Sequence, residues 1–223
     1  MNGDDTQNIL KHIFEGSLLE GQADNLATAR NYLCTRYRTN TSVTKNFEEQ
    51  SSLKKKQVEN LVAFASERNW WVNEKLNRLQ FLTEGGEAKI YLAPSNSTVV
   101  KLNDAIYYNT WLDFLNSVII HNLLFSDTAY TLLGFIKQNE NLFAVLEQPF
   151  IIMDTATDLN SVRDFLAYNG FINFRRTDYY HTQMQLILED IHDENVIVSN
   201  NKLFFIDTVF YLETNRHFHS SLR

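Results

Sequence analysis

The most constraining stretch of this chain is EDIHDENVIVSNNKLFFIDT, Glu189–Thr208. Two short apolar runs, Val196–Val198 and Leu203–Ile206, flank the turn sequence SNN, which is the pattern of a β-hairpin. Pairing of those runs brings their outer ends together. Asn195 stands just before the first run and Asp207 just after the second, so the hairpin sets an amide beside a carboxylate. Asp190, five positions before Asn195, leaves a third strand-like run, Met184–Leu188, and is expected a few ångströms away. The plainer alternative is a set of turn carboxylates that cap backbone N–H groups.

That triple suits phosphoryl transfer. Mg²⁺ takes hard oxygen ligands, with only one or two from protein carboxylates and the rest from phosphate and water. A separate carboxylate orients the attacking hydroxyl and accepts its proton. Asn195 and Asp207 are the candidate metal ligands, and Asp190 is the candidate base. His192 reads as structural support for the loop, and Asp193 and Glu194 as solvated acids.

Upstream, apolar spacing predicts helices around Ile9–Leu19, over Asp24–Arg38, and from about Ser51 to the Trp70–Trp71 pair. The polar stretch Thr39–Ser52 reads as a loop, and Lys54–Lys56 as a solvated helix face. Short strands are expected at Leu79–Leu82, Ala88–Ala93 and Thr98–Leu102, separated by the turn sequences TEGGE and PSNS. A helix is predicted over Ala105–Phe125, strands at Thr131–Ile136 and Leu142–Glu147, and one or two helices between Leu159 and Gln183. The order of elements is an α+β pattern with antiparallel strands.

Composition narrows the function classes. A net charge of −7 argues against broad electrostatic binding to nucleic acid or an anionic membrane. No apolar run approaches the length of a membrane span, and the start, MNGDDTQNIL, is polar and acidic, unlike a signal peptide. Cys34 is the single cysteine, so no intrachain disulfide forms. The expected location is cytoplasmic.

The Asp–Asn–Asp spacing resembles the catalytic loop and metal-binding strand end of the protein-kinase-like superfamily. Within it, DIHDEN is similar to the D-x-H-x-x-N loop of aminoglycoside and choline kinases. More narrowly, LVAFASERNWWV, GGEAKIYL, VVKLND, HNLLF, LLGF, VLEQPF, EDIHDENV and FFIDT, in that order across Val58–Leu212, resemble the kinase-like domain of bacterial and phage polyvalent proteins. The resemblance implies a two-lobe fold: a small lobe over 58–150 with an antiparallel sheet, a reduced large lobe over 151–223, and a helical N-terminal extension over 1–57. It implies ATP and Mg²⁺ as cofactors and a hydroxyl-bearing acceptor that the sequence does not identify. Gly85 and Gly86 would cover the phosphates, Lys101 would position them, and Asp113 on the following helix would hold that lysine. Backbone groups around Glu147, Gln148 and Pro149 would meet the adenine.

The sequence departs from the wider pattern at several points. Thr83 and Ala88 stand where further loop glycines are usual, Glu189 where an Arg precedes the base, and no Gly follows Asp207. Only sixteen residues follow Asp207, which leaves no room here for an activation segment with substrate-binding helices. Three readings therefore stand: a phosphotransferase, a pseudokinase that binds nucleotide or acts as a scaffold, and an interaction protein that is no kinase. His217 and His219, near the end, are read as unimportant to any site.

Overall fold

Helices form the start of the chain and antiparallel strands most of the remainder. The computed structural model describes residues 3–21, 24–37, 47–85 and 88–213. Helices α1 (Gly3–Phe14), α2 (Asn25–Tyr37) and α3 (Phe47–Arg68) come first, then a single turn, α4 (Asn73–Leu76). Strands β1 (Gln80–Glu84), β2 (Ala88–Leu92) and β3 (Thr98–Asn103) precede helix α5 (Trp111–Leu124), and β4 (Thr131–Gln138) and β5 (Asn141–Pro149) follow it. These five strands make one antiparallel sheet in the order β1-β2-β3-β5-β4. Helix α6 (Leu159–Tyr168) leads to β6 (Phe171–Arg175), β7 (Asp178–His181), β8 (Leu186–Glu189), β9 (Val196–Ser199), β10 (Lys202–Phe205) and β11 (Val209–Leu212). A four-stranded sheet runs β11-β8-β7-β6, and β9 pairs with β10 as a separate hairpin.

Local chemistry explains the elements that position the site. Along β3, side chains alternate between faces: Val100 and Leu102 join a small apolar cluster with Val72, Ile136 and Val145, while Val99 and Lys101 face the opposite way, into a cleft. The β9–β10 turn consists of Asn200 and Asn201 with φ of 49° and 59°. Two successive positive φ values suit the two-residue hairpin turn, and Asn tolerates them. In β4, Gly134 has φ +148°, and a Cβ there would lie 2.3 Å from the Trp70 carbonyl oxygen. Only glycine lets the Trp70 carbonyl accept from Phe135 N–H at 2.8 Å, which fastens the end of α3 to the sheet.

Helix α5 is apolar on most sides, as a buried helix is. Trp111, Phe114, Leu115, Val118, Ile119 and Ile120 are all buried, and Leu10, Ile13, Leu26, Ala29, Leu33, Leu61 and Ala65 from α1–α3 share its core. Polar ties reinforce this contact. Arg30, 0% exposed, donates from Nε to Asn116 Oδ1 at 3.0 Å and from its terminal nitrogens to the carbonyls of Ser17 and His12. Gln57 Oε1 accepts from Leu112 N–H at 3.2 Å. Lys54 Nζ donates to the carbonyls of Ala105, Ile106 and Tyr108 at 2.5, 3.3 and 2.7 Å.

Several sequence expectations are corrected. Residues 171–181 form β6 and β7, not a helix: Gly170, at φ +85°, ends α6, and the aromatic-rich segments beyond it pair as strands. Phe47–Ser52 belong to helix α3 rather than to the expected loop Thr39–Ser52, and residues 38–46 lie outside the described residues. Helix α5 begins at Trp111 because Thr110 caps it there and Ala105 sits at φ 58°. Lys54 is not on a solvated face. Strand β11 was not anticipated, and His217 and His219 lie outside the described residues. No helix among the described residues is long and apolar enough to cross a membrane.

Arg30 should be a stability hot spot. Arg30→Leu keeps the apolar stem but strands the Asn116 side-chain oxygen and the part-buried Ser17 carbonyl, whereas the His12 carbonyl keeps its bond from Ser17 N–H. Each stranded oxygen costs about 1–3 kcal/mol, so urea denaturation should show a loss of roughly 3 kcal/mol.

Candidate functional site

A cleft of about 640 Å³ opens between the five-stranded sheet and the β9–β10 hairpin. Leu82, Ile90 and Val99 of the sheet form one wall, Ile197 and Ile206 the other, and the end of β5 with the residues after it, Gln148–Ile151, closes one side. Both walls are apolar, as a slot for a flat ring system requires. At the polar end the cleft gathers Gly85, Lys101, Asp190, His192, Asn195 and Asp207. A second cavity, about 740 Å³, lies among α6, the hairpin and the residues after α5, lined in part by Phe125, Phe165, Phe205 and Asp158. None of the residues singled out from the sequence reaches it.

Lys101 is buried, at 5% exposure. Its ammonium donates to the Ile206 carbonyl at 2.8 Å and to the Tyr130 hydroxyl at 3.2 Å, and lies 3.4 Å from Asp207 Oδ2. The hairpin places this carboxylate: Ile206 N–H donates to the Asn195 carbonyl at 3.0 Å, so residues 195 and 206 are fixed side by side.

Asp190 sits at φ +65°, a turn conformation that Asp tolerates better than most residues. Asn195 Nδ2 donates to both the Asp190 carbonyl and Asp190 Oδ2, each at 2.9 Å. Both neighbours are pure acceptors when the carboxylate is ionised, so the amide nitrogen must face them and Oδ1 must point elsewhere. His192 Nε2 lies 3.0 Å from Asn195 Nδ2 and 3.4 Å from Asp190 Oδ1, completing a small polar cluster within the loop. The oxygens left for a hard cation are Asn195 Oδ1 and the Asp207 carboxylate, whose side chain is 33% exposed. This pair fits Mg²⁺, which leaves most of its coordination to phosphate and water. Among the described residues no group of three or more His, Cys, Asp or Glu could hold a metal alone.

Behind Lys101 lies a buried polar chain. His121 of α5 is fully buried. Its Nε2 is 3.0 Å from the Thr128 carbonyl, which only accepts, so Nε2 carries the proton; Nδ1 then accepts from the Thr208 hydroxyl at 2.8 Å. Gln148 Nε2 donates to the same Thr128 carbonyl at 2.7 Å, and Thr128 Oγ1 donates to the Phe205 carbonyl at 2.6 Å. Burial drives the His121 pKa down to about 4, against the raising effect of its bond to Thr128.

A family model described as "Serine/Threonine/Tyrosine Kinase found in polyvalent proteins" matches residues 54–214. The chain belongs to that family. No curated protein matches it. The matched region starts within α3 and takes in the whole cleft.

Not every residue expected at a kinase-like site is brought to it. Asp113 is a capping residue of α5: its N–H donates to Thr110 Oγ1 at 3.0 Å and its Oδ2 accepts from the Thr110 hydroxyl at 2.7 Å. Burial pushes its carboxyl up, against those bonds and the nearby Lys54. It does not pair with Lys101, because it occupies the first turn of α5, whereas Phe114 and Val118 line the small space beside the lysine. Glu147 is outside the cleft wall and accepts from Thr98 Oγ1 at 3.0 Å. Gln148 and Pro149 line the cleft; the Gln148 side-chain amide bonds the Thr128 carbonyl, which leaves the expectation for backbone groups here untouched. Gly86 lies outside the described residues. Tyr130, His121 and Thr208 were missed; Tyr130 meets Ile206 and His121 meets Thr208 across 76 and 87 residues of sequence, separations that leave no local pattern.

His121 gives the fold a pH signature. The unfolded chain takes up its proton near pH 6.5 and the native site only near pH 4. The native state is therefore favoured above about pH 6.5 and loses this contribution as pH falls towards 4, by about 3 kcal/mol in all. Denaturation of the wild type and His121→Gln across this window should converge as the pH falls. Parallel curves would contradict a neutral buried imidazole.

Proposed function

We propose that the chain is an ATP–Mg²⁺-dependent phosphotransferase of two-lobe, kinase-like build. The five-stranded sheet with α5 is its small lobe, residues 151–223 are a reduced large lobe, and residues 1–57 are a helical extension packed on the small lobe. The observation that carries this reading is one cleft with apolar walls and, at its polar end, Lys101, Asp190, Asn195 and Asp207.

Each side chain then has a distinct task. The apolar walls hold the adenine, and the chain after β5 borders it. The Lys101 N–H nearest Asp207, the loosest of its three contacts, turns to the α- and β-phosphate oxygens. Asn195 Oδ1 and Asp207 hold Mg²⁺, which when bound neutralises phosphate charge. Asp190, on the exposed side of the loop at 46% side-chain exposure, receives the proton of an acceptor hydroxyl. Asn195 holds that carboxylate in place through Nδ2.

One observation favours a second reading, a nucleotide-binding module without transfer: no carboxylate of α5 reaches Lys101. Experiment separates the two. ATP with Mg²⁺ at a hundredfold excess over Kd should stabilise the wild type by about 2.7 kcal/mol, a melting shift of roughly 5–10 °C for a chain of this size. A flat melting curve at millimolar ATP–Mg²⁺ would exclude both.

The two aspartates should fail differently. Asp207→Asn should abolish most of the Mg²⁺-dependent shift. Asp190→Asn should keep the shift but lower phosphate transfer ~10²–10⁴-fold. Equal loss of binding in both variants would refute the division of roles. Intact, Asp207-dependent binding with no transfer by the wild type would select the second reading.

A further inference from the structure

Lys101 carries a buried charge, yet α5 offers it no acid. Its firmest side-chain partner is Tyr130, which is 8% exposed and precedes β4. The Tyr130 hydroxyl donates to the Ile206 carbonyl at 2.6 Å, so it presents a lone pair to the Lys101 ammonium at 3.2 Å. The same Ile206 carbonyl accepts from Lys101 at 2.8 Å. Lysine, phenol and carbonyl thus form a closed triangle, and the carbonyl belongs to the peptide immediately before Asp207.

Tyr130 is itself held by α5. Asn122 clamps its backbone on both sides: Tyr130 N–H donates to Asn122 Oδ1 at 2.7 Å, and Asn122 Nδ2 donates to the Tyr130 carbonyl at 2.7 Å. His121, the neighbouring residue on α5, packs its ring against the Tyr130 ring with centroids 4.7 Å apart.

We propose that Tyr130 is a positioning residue that takes the place of a helix carboxylate: through it, α5 holds the Lys101 ammonium and the backbone before Asp207 in fixed register. The hydroxyl bridges the two groups, and Asn122 transmits the position of α5. A neutral phenol does this without adding a second negative charge beside Asp207, so it adds no repulsion against an anionic ligand. The consequence for nucleotide rests on the phosphotransferase reading; the hold on Lys101 does not.

The test uses the full chain and Tyr130→Phe, which keeps the ring and removes only the bridging oxygen. In the absence of nucleotide, limiting acetic anhydride should acetylate Lys101 about fivefold faster in the variant, measured by mass spectrometry against Lys89 as internal reference. An unchanged ratio overturns the proposal. With nucleotide, Mg²⁺–ATP affinity should fall about tenfold, the scale for losing a hydrogen bond to a charged group. Adenosine, which lacks phosphates, should bind within twofold of wild type. Once Lys101→Met is present, adding Tyr130→Phe should change ATP affinity no further; an additive loss would mark a general structural role and overturn the proposal.

Asn122→Ala keeps the hydroxyl but frees its backbone from α5, and should move both readouts the same way by a smaller factor. No movement would overturn the link to the helix. If the wild type binds neither ATP nor adenosine, the phosphotransferase reading falls while the acetylation ratio still decides the role of Tyr130.

Discussion

A lysine ammonium taken out of water loses several kcal/mol of hydration unless charge and hydrogen bonds replace it. Lys101 is in that position, and the architecture around the cleft can be understood as the supply of its partners. Strand β3 points it inward by simple alternation between Val100 and Leu102. The β9–β10 hairpin delivers the Ile206 carbonyl and the Asp207 carboxylate from about a hundred residues further along the chain. Tyr130, anchored to α5 through Asn122, delivers the phenol. Three separate elements converge on one nitrogen, so a shift in any of them leaves a buried charge under-coordinated.

Helix α5 is the element on which this convergence turns. Its cleft side carries His121, whose neutral ring joins Thr208 to Thr128 and, through that carbonyl, to Gln148 of β5. Its other faces are covered by α1–α3, with Arg30, Lys54 and Gln57 satisfying groups on and just before it. The N-terminal helices therefore bear on the site without touching it. They fix the helix that fixes Tyr130, and the apolar contact they make is continuous with the core beneath the cleft. A low-dielectric surround also strengthens each polar bond in the chain from Gln148 to Thr208, which makes the set cooperative.

The loop around Asp190 follows a different logic. It is held by short-range bonds among residues 190, 192 and 195, all within six positions of one another. Asp190 and Asn195 line the cleft while the Asn195 amide nitrogen is spent within the loop. Buried long-range ties set the lysine side of the cleft, and a compact, partly exposed turn sets the acid side.

Short-range pattern carried a good part of this into the sequence. A short apolar run after the turn sequence PSNS marked β3, and two apolar runs around an Asn-rich turn marked the hairpin that places Asn195 next to residues 206 and 207. Contacts of that kind depend on neighbours within about fifteen residues, so their periodicity survives in the string of letters. What lay beyond it was decided by tertiary structure. Residues 171–181 have no strong period, and became strands because β8 offered an edge to pair with. Asp113 stands on the right helix to serve a lysine, but the rotation and capping of α5 assign it to Thr110 instead. Tyr130 and His121 look like ordinary residues around a short polar link. Their partners are fixed only when the sheet, helix and hairpin close on one another, because a buried charge takes its ligands from whatever the packed chain brings within hydrogen-bonding distance.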